Sequence, residues 1–336
     1  MPITIIKQGI ADAIQDLGRY GYQHMGINPG GVMDPIAASV ANMLVGNETG
    51  APVIECHFPA ASFLFDQPAL IAISGANFSP LINQKALPIN TPLIIQKNSV
   101  LSFTRNTTGD TRCYIAIAGG YSIPAWLNSY STNTKAEAGG YRGRRLLKDD
   151  TLSFPLNSHA AMIADNKGDF CLPWQASMKH IYFPDNPIRF CEGKHYTQLD
   201  TASVTMLPAS LFTITAQSDR MGYRLQGTPL QLQQPIEPIS AGVTKGTMQL
   251  LPNGQIIVLM ADHQTTGGYP VIGHVIEADL PRLARMQQGD AIQFQRISLQ
   301  EAEDLLYKQY QHLQQLQIAC NLQLQQYLAQ YDLHRS

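Results

Sequence analysis

The sequence predicts a mainly β protein with a few helices, organised as two β-rich halves. At 336 residues the chain exceeds the size at which one hydrophobic core usually stops growing, so two domains are expected. Its 44% hydrophobic and 14% charged residues, with 26 Gly and 21 Pro, are typical of a compact, turn-rich fold. Short apolar segments also recur along the chain and end at glycine, as strands leading into tight loops do.

Three apolar segments give the clearest strand predictions. They are ALIAISGANF at 69–78, CYIAIAGGYS at 113–122 and QIIVLMADHQTTGGY at 255–269. Further strands are predicted in the shorter segments PLIIQKNSVLSFT, TLSFPL, PIRFCEG, SLFTITAQS and DAIQFQRI. Their close spacing predicts sheets joined mainly by turns rather than by repeated crossover helices.

Two segments have the pattern of a helix. DPIAASVANMLVGN offers Asp34 as the N-cap, Pro35 at the first helical position, one apolar face and Gly46 at the stop. The tail opens with Ser298 and Glu301 at capping-box spacing, and leucines continue through its glutamine-rich stretch. A C-terminal helix is therefore predicted.

These elements predict four segments along the chain. The stretch from about 155 to 185 has weak periodicity and ends in prolines, which marks it as the linker. The predicted segments are an N-terminal β module over 1–155, a linker over 156–185, a C-terminal β module over 186–297 and a helix over 298–336.

Composition excludes several classes of protein. With 23 Lys and Arg against 25 Asp and Glu, the chain has no basic excess for nucleic acid. It shows neither a signal-peptide pattern nor 18 uninterrupted apolar residues, so we expect a cytoplasmic protein without a membrane partner. The P-loop, the G-x-S-x-G elbow and tight metal-ligand motifs are missing, and the 5 cysteines form no C-x-x-C pair, so no metal site is predicted.

A glycine-rich segment, IQDLGRYGYQHMGINPGGVMD, contains four chemically capable side chains: Asp16, Arg19, His24 and Asp34. Its glycines let backbone amides approach a ligand closely while the charged groups orient that ligand. The alternative is a structural Ω-loop whose charges pair with each other.

A second candidate is QSDRMGYRL, in which Arg220 and Arg224 are four residues apart and Asp219 precedes the first. Two guanidinium groups could clamp a carboxylate or phosphate, because each can donate two parallel hydrogen bonds. A surface pair between Asp219 and Arg220 is the structural alternative.

The third candidate is ADHQTTGGYP, directly after an apolar strand. Asp262 at the strand end could act as acid, base or orienter, and the following residues offer hydroxyl and amide donors to an anion or a developing oxyanion. Gly267 and Gly268 are expected to adopt positive φ. A tight structural turn is the alternative. The loop residues predicted to bind substrate are Thr265, Thr266, Gly267, Gly268 and Tyr269.

Three strand residues complete the candidate set. Glu55 in VIECHF is an acid on a predicted strand, and Arg112 and Tyr114 alternate along TRCYIAIAGG, so all three could face one cavity. A salt bridge explains Glu55 equally well.

Several of these motifs together resemble one family. QDLGRYGYQHMGINPGGVMD, TRCYIAIAGG, GGYRGRRL, QSDRMGYRL and GTMQLLPNGQIIVLMADHQTTGGYP occur in the order seen in the KipA family, over about residues 9 to 297. This family is also called the biotin-dependent carboxyltransferase or allophanate hydrolase subunit 2 family, and it includes the C subunit of 5-oxoprolinase. The resemblance implies two cyclophilin-like β-barrel modules in tandem.

The resemblance also implies a function. A free-standing member of this length is expected to work with the A and KipI-like B subunits of 5-oxoprolinase. Together they would use ATP with Mg²⁺ to open 5-oxo-L-proline to L-glutamate, and this chain would be inactive alone. Asp262, Asp34 and Glu55 are then the expected catalytic residues, and the arginines and loop residues above would bind the small amide substrate.

Two other functions fit the same family. A carboxyltransferase would act on a small amide such as urea with carboxybiotin, although the chain has no Met-Lys-Met biotin attachment site. A KipA-like regulator would bind a KipI-like kinase inhibitor without turnover.

Overall fold

A computed structural model describes residues 2–106, 109–155, 168–179, 181–182 and 187–333. By their internal contacts the residues divide into two compact units. Unit 1 comprises Met1–Gly18, Asp34–Lys179 and His312–Ser336, and unit 2 comprises Arg19–Met33 and His180–Gln311. The units interleave along the chain, unlike the predicted segments, which follow one another. Much of the predicted linker, namely 156–167, 180 and 183–185, lies outside the described residues.

Unit 1 is built on two six-stranded sheets. The first has the order β11-β1-β4-β9-β6-β7 and the second the order β12-β8-β5-β10-β3-β2. The strands are β1 Pro2–Lys7, β2 Ala13–Gln15, β3 Val53–His57, β4 Ser62–Phe65, β5 Ala69–Gly75, β6 Pro80–Ile82, β7 Lys85–Ala86, β8 Pro92–Ile95, β9 Ser99–Phe103, β10 Arg112–Ile117, β11 Thr151–Ser153 and β12 Phe170–Cys171.

The core of unit 1 takes alternate residues from both sheets, because successive side chains of a strand point to opposite faces. Ile71 and Ile73 of β5 and Ile115 of β10 belong to it. The residues between them face the other way. Ser74 of β5 is paired in register with Tyr114, which in turn pairs with Glu55 of β3. Polar side chains of three neighbouring strands therefore share one face.

Helix α1, Pro35–Leu44, begins as predicted. Asp34 Oδ1 accepts hydrogen bonds from the backbone N–H groups of Ile36 and Ala37, both at 3.0 Å, and Pro35 occupies the first turn. The helix is buried over most of its length and packs on β5 and β10. An all-round apolar helix of this kind is held by its packing rather than by an amphipathic face.

Unit 2 contains a closed barrel with the strand order β13-β20-β17-β18-β15-β14-β21. A parallel pairing of β13 with β21 closes it. A separate two-stranded ribbon pairs β16 with β19. The strands are β13 Ile188–Glu192, β14 Leu211–Ile214, β15 Gly222–Gln226, β16 Ala241–Gly242, β17 Thr247–Leu250, β18 Ile256–Leu259, β19 Thr266–Gly267, β20 Val271–Val275 and β21 Ala291–Arg296.

Three further α-helices are described: α2 Thr201–Ala209, α3 Leu280–Arg285 and α4 Leu299–Leu333. The capping box of α4 forms as predicted, since Glu301 Oε2 accepts from the backbone N–H of Ser298 and the Ser298 hydroxyl accepts from the N–H of Glu301. Within the described ranges, no helix has the length and apolarity needed to cross a membrane.

The predicted fold class is confirmed: mainly β, with few helices and a long C-terminal one. Each predicted strand segment contains a strand. Helix α2 was not predicted, because it carries Pro208 and its apolar residues have no helical periodicity.

Candidate functional site

The loop after β18 is fixed by backbone hydrogen bonds to the segment before β15. Met260 donates its N–H to the carbonyl of Met221 at 3.0 Å, and Asp262 donates its N–H to the carbonyl of Arg220 at 2.8 Å. These bonds extend the β15–β18 ladder past its last strand residue. They bring the side chains of Asp262 and Arg220 to the same place.

Asp262 and Arg220 form a two-pronged ion pair. Arg220 Nε donates to Asp262 Oδ2 at 2.8 Å, and Nη2 donates to Oδ1 at 3.1 Å. Charge-assisted pairs of this geometry are stronger than neutral hydrogen bonds and fix the carboxylate plane. Both side chains remain partly accessible, at 25% for Asp262 and 19% for Arg220. The carboxylate is therefore oriented and still open to a ligand.

The glycine-rich segment contributes backbone to this place. Arg220 Nη2 also donates to the carbonyl of Gly31 at 2.6 Å. Gly30 has a φ of 63°, and a Cβ there would lie 3.7 Å from Asp262 Oδ1. We call Asp262, Arg220, Gly30 and Gly31 the unit 2 cluster. The unit 2 cluster therefore contains residues from all three candidate segments of the sequence, and all of these residues lie in one compact unit.

The two arginines of the predicted clamp have different environments. Asp219 caps its own turn, with Oδ1 accepting from the N–H of Met221 at 2.8 Å. Arg224 lies on β15 with an exposed side chain, because the buried positions of this strand are taken by Gly222, Tyr223 and Leu225. The structure therefore does not bring Arg224 together with Arg220 around one anion.

The TTGGYP loop forms a ribbon rather than a turn. Thr266 and Gly267 of β19 pair with Gly242 and Ala241 of β16, and the Thr265 carbonyl accepts from a neighbouring backbone N–H. Neither Gly267 nor Gly268 is among the described glycines with positive φ, so that expectation was wrong. Glycine at position 267 instead leaves room for a neighbouring side chain, because an added Cβ would overlap the Gln249 side chain.

The end of this ribbon borders a cavity in unit 2. Its volume is about 700 Å³, and Gly268, Tyr269 and Pro270 contribute to its wall. The remaining wall comes from proline- and leucine-rich residues of 229–238 and 250–254. Tyr269 is exposed at the cavity edge. The cavity is thus mainly apolar, with few groups that could orient a charged substrate.

Unit 1 brings the remaining candidates together in a cluster of their own. The hydroxyl of Tyr114 accepts from the backbone N–H of Asp34 at 2.9 Å, and Arg112 Nε lies 3.9 Å from Glu55 Oε1. All four side chains are buried. We call them the unit 1 cluster. The contacts of Asp34 are those of a helix cap, and its predicted catalytic role stays a prediction, as does that of Glu55.

The electrostatics of the unit 1 cluster favour a neutral phenol. Burial raises the pKa of Tyr114 well above its usual range, and the nearby carboxylates of Glu55 and Asp34 raise it further. Tyr114 is therefore available as a hydrogen-bonding hydroxyl.

In unit 2, burial lowers the pKa of His263, which favours its neutral imidazole.

Two other charged residues of the glycine-rich segment have separate environments. Asp16 accepts hydrogen bonds from the hydroxyls of Ser129 and Ser131 and from the backbone N–H of Tyr130, which makes it an anchor within unit 1. His24 is exposed at a short helical turn. Asp16 is thus a structural residue, but its partners lie outside the glycine-rich segment and are not the mutual charge pairs of the Ω-loop alternative.

Three notable residues were not predicted from the sequence. Gln249 on β17 and Asp12 directly before β2 are buried polar side chains, and Lys245 donates from Nζ to the Met33 carbonyl at 2.9 Å. A glutamine inside TMQLL was the available signal for Gln249, since a polar residue within a buried apolar run needs a partner.

Among the described residues, no group of three or more His, Cys, Asp and Glu side chains could hold a metal ion.

A family model described as carboxyltransferase domain, subdomain A and B, matches residues 25–296. The match covers most of the chain, including both clusters. The chain belongs to the carboxyltransferase-domain family. This agrees with the resemblance found in the motifs.

Curated members of the carboxyltransferase-domain family are similar over nearly the full chain. The chain is 35% identical to the C subunit of 5-oxoprolinase from Haemophilus influenzae and, likewise, 35% identical to that from Escherichia coli, over 94% of this chain and 97% of each relative. It is 28% identical to the urea amidolyase of Saccharomyces cerevisiae over 90% of this chain but 17% of that protein.

Solved structures of the carboxyltransferase-domain family share the fold. The crystal structure of the K. lactis urea amidolyase matches 94% of this chain with a TM-score of 0.84 at 24% identity, and the Kluyveromyces lactis urea carboxylase matches equally well. The chain spans 20% and 29% of those two chains. It therefore corresponds to one segment of much larger proteins.

Proposed function

We propose that this chain is the C subunit of a 5-oxoprolinase, which opens 5-oxo-L-proline to L-glutamate together with its A and B subunits. The observation that carries the proposal is the 35% identity to the C subunit of 5-oxoprolinase over 94% of this chain and 97% of the relative. The match covers nearly all of that relative, whereas the match to urea amidolyase covers 17% of the urea amidolyase chain.

The chemistry explains why such an enzyme would consume ATP. The carbonyl of a lactam is a poor electrophile, because the ring nitrogen delocalises its lone pair onto it. Phosphorylation of the carbonyl oxygen would convert that oxygen into a good leaving group. Among the described residues there is no group of three or more His, Cys, Asp and Glu side chains that could hold a metal ion, and the sequence has no P-loop, so we derive no step through ATP on this chain.

Within this scheme Asp262 acts on the lactam or on the attacking water. A carboxylate that is both oriented and accessible can accept a proton or hold a water molecule in place. The proposal is supported by the two hydrogen bonds from Arg220 and by the partial exposure of both side chains. Arg220 is then a positioning residue, because it reaches the reaction through Asp262.

The Gly30–Gly31 backbone has a supporting role in this proposal. The Gly31 carbonyl fixes the outer end of the Arg220 guanidinium, and Gly30 leaves open the space beside Asp262 Oδ1. A side chain at Gly30 would approach this oxygen and would also require a positive φ that other residues rarely adopt. The segment is thereby matched to a small substrate next to the carboxylate.

A second function, carboxyl transfer from carboxybiotin to a small amide, is favoured by two observations. The family model bears the name carboxyltransferase domain, and the chain is 28% identical to urea amidolyase over 90% of its own length. The same oriented carboxylate could deprotonate the amide nitrogen that attacks the carboxyl group.

One reconstitution separates the two functions. Purified A and B subunits of 5-oxoprolinase are incubated with 5-oxo-L-proline, ATP and Mg²⁺ with and without this chain, and L-glutamate is measured. We expect glutamate only when all three proteins are present, and none from this chain alone. Carboxybiotin decay stimulated by urea, with no glutamate formed, would establish carboxyl transfer instead. Tight association without either reaction would indicate the regulatory alternative.

A further inference from the structure

Gln249 of β17 is a buried polar residue on the outside of the barrel. Its neighbours Met248 and Leu250 belong to the core of unit 2, so the side chain of Gln249 points away from that core. Outward residues of a barrel normally meet water, but Gln249 is only 1% exposed. Another part of unit 2 must therefore cover it.

The β16–β19 ribbon provides this cover. An ideal Cβ built on Gly267 would overlap Gln249 Nε2, and it would lie 3.2 Å from Val243 Cγ1. The carboxamide thus occupies the space where any other residue at position 267 would place its side chain. The ribbon itself is thin, with only two residue pairs and with exposed residues at Ala241 and Gly242.

The carboxamide nitrogen of Gln249 has no hydrogen-bond partner among the described residues. Leaving a buried donor unsatisfied costs about 1–3 kcal/mol, and such groups are rare in native proteins. The carboxamide nitrogen of the buried Gln309, by contrast, is satisfied, because it donates to the carbonyls of Ile181 and Ala278, both at 3.0 Å. A partner from outside the chain would satisfy the carboxamide nitrogen of Gln249.

The chemistry of a carboxamide specifies that partner. Its N–H donor and carbonyl acceptor lie side by side, and a cis amide such as a lactam presents the complementary acceptor and donor. We propose that Gln249 recognises the lactam group of the substrate through this pair of hydrogen bonds, with the ribbon closing over it. The inference rests on the proposed function, and it adds a specificity-determining residue outside the unit 2 cluster.

The location of Gln249 agrees with this role. β17 and β18 are antiparallel neighbours, and Asp262 lies shortly after the last residue of β18. Gly267 and Thr265, which were predicted to bind substrate, belong to the segment that covers Gln249. A small ring held under the ribbon would thus be bound by the same loop that carries Asp262.

Gln249→Leu tests the inference through two independent measurements. Because leucine removes an unsatisfied buried donor and keeps similar bulk, the melting temperature of the full chain should stay unchanged or rise. The matched control Gln309→Leu removes donors from two backbone carbonyls, so its melting temperature should fall. A fall for Gln249→Leu as large as for the control would overturn the inference, since it would show a structural role.

The second measurement compares two ligands of the assembled complex of all three proteins without ATP. One is 5-oxo-L-proline, and the other is the lactone acid in which a ring oxygen replaces the N–H group. Wild type should bind the lactam roughly 10- to 100-fold more tightly than the lactone, because the lactone cannot donate to Gln249. Gln249→Leu should abolish this preference, and Gln309→Leu should keep it. An unchanged preference in Gln249→Leu would overturn the inference.

Failure of the proposed function can be distinguished by experiment from failure of the inference about Gln249. A wild-type complex that forms no glutamate would remove that function, whereas the inference about Gln249 would then be decided by lactam binding to the full chain. Binding of 2-pyrrolidinone by wild type and not by Gln249→Leu would still support it. Equal binding by both proteins, or binding by neither, would overturn it.

Discussion

Arg220 holds both carboxylate oxygens of Asp262, with donor-acceptor distances of 2.8 and 3.1 Å, and its Nη2 also reaches the Gly31 carbonyl at 2.6 Å. One guanidinium thus links the end of β18, the start of β15 and the glycine-rich segment of unit 2. This geometry makes Arg220 the residue that determines where the Asp262 carboxylate lies.

Arg220→Lys is therefore expected to impair the reaction while the chain stays folded. Lysine keeps the positive charge but lacks the planar pair of donors, so the carboxylate loses its fixed plane. We expect kcat/KM of the assembled complex to fall roughly 10- to 100-fold, in line with about 1.5–3 kcal/mol for hydrogen bonds to charged groups. Arg224→Lys is the matched control, since this arginine is exposed on β15, and it should stay within about twofold of wild type. Equal losses in both variants would contradict this assignment.

Gly267→Ala is expected to disturb the ribbon, because the new methyl group would overlap Gln249 Nε2. Overpacking of this kind typically costs about 1–3 kcal/mol. At Gly268 an added Cβ would lie 3.2 Å from Ser240 Oγ, a contact that a small shift relieves. Urea unfolding should therefore show a clear loss for Gly267→Ala and a smaller one for Gly268→Ala. The reverse order would show that space beside Gln249 is not what requires glycine.

The buried ion pair of Arg189 and Asp279 is expected to be critical for the stability of unit 2. Arg189 donates from Nη2 at 2.6 Å and from Nε at 2.9 Å, and both side chains are buried. Asp279→Asn leaves the arginine charge uncompensated, which should cost about 3–5 kcal/mol of unfolding free energy. Glu192→Gln, which breaks the exposed pair with Arg296, should cost at most about 1 kcal/mol. Similar losses of unfolding free energy in the two variants, measured by urea unfolding, would contradict this difference between the buried and the exposed ion pair.

Asp12 is expected to make the stability of the chain depend on pH. Burial raises the pKa of this carboxyl from 3.8 to about 6, although the N–H groups of His57 and Ala61 oppose that shift. The folded chain therefore holds the proton more tightly than the unfolded chain. The resulting stability is complete below about pH 4 and is lost as the pH rises through 6, with a total of about 3 kcal/mol.

Asp12→Asn removes this titration. The unfolding free energy of wild type should decline relative to the variant between about pH 4 and pH 7, as measured by urea unfolding at each pH. Parallel curves over this range would show that Asp12 does not titrate there. A carboxyl NMR titration would provide the pKa directly.

Most of the fold could be predicted because its signals are local. Strand β5 ends at Gly75 and β10 ends two residues before Gly119, and the capping residues Asp34 and Ser298 start their helices where the sequence indicates. The assignment of Arg19–Met33 to unit 2 could not be predicted, since it depends on which long-range contacts this segment makes. No local pattern encodes such contacts.

Only part of the site could be predicted, because the partners of its residues also depend on long-range contacts. Asp262 was found because a carboxylate at the end of an apolar strand is conspicuous, but the choice of Arg220 as its partner depends on the ladder between β15 and β18. The paired glycines indicated a turn with positive φ, whereas Gly267 serves to leave room for Gln249. Gln249 itself is hidden in an apolar run, where only its packing identifies it.

The most direct test of the account is the rate of ATP-dependent glutamate formation by a complex that contains Asp262→Asn. The amide can still accept one hydrogen bond from Arg220, so the variant should fold and assemble with the A and B subunits, but it cannot take a proton. We predict a rate about 100- to 10,000-fold below wild type, the range expected for loss of a general base. An assembled complex that retains more than about a tenth of the wild-type rate would contradict a chemical role for Asp262.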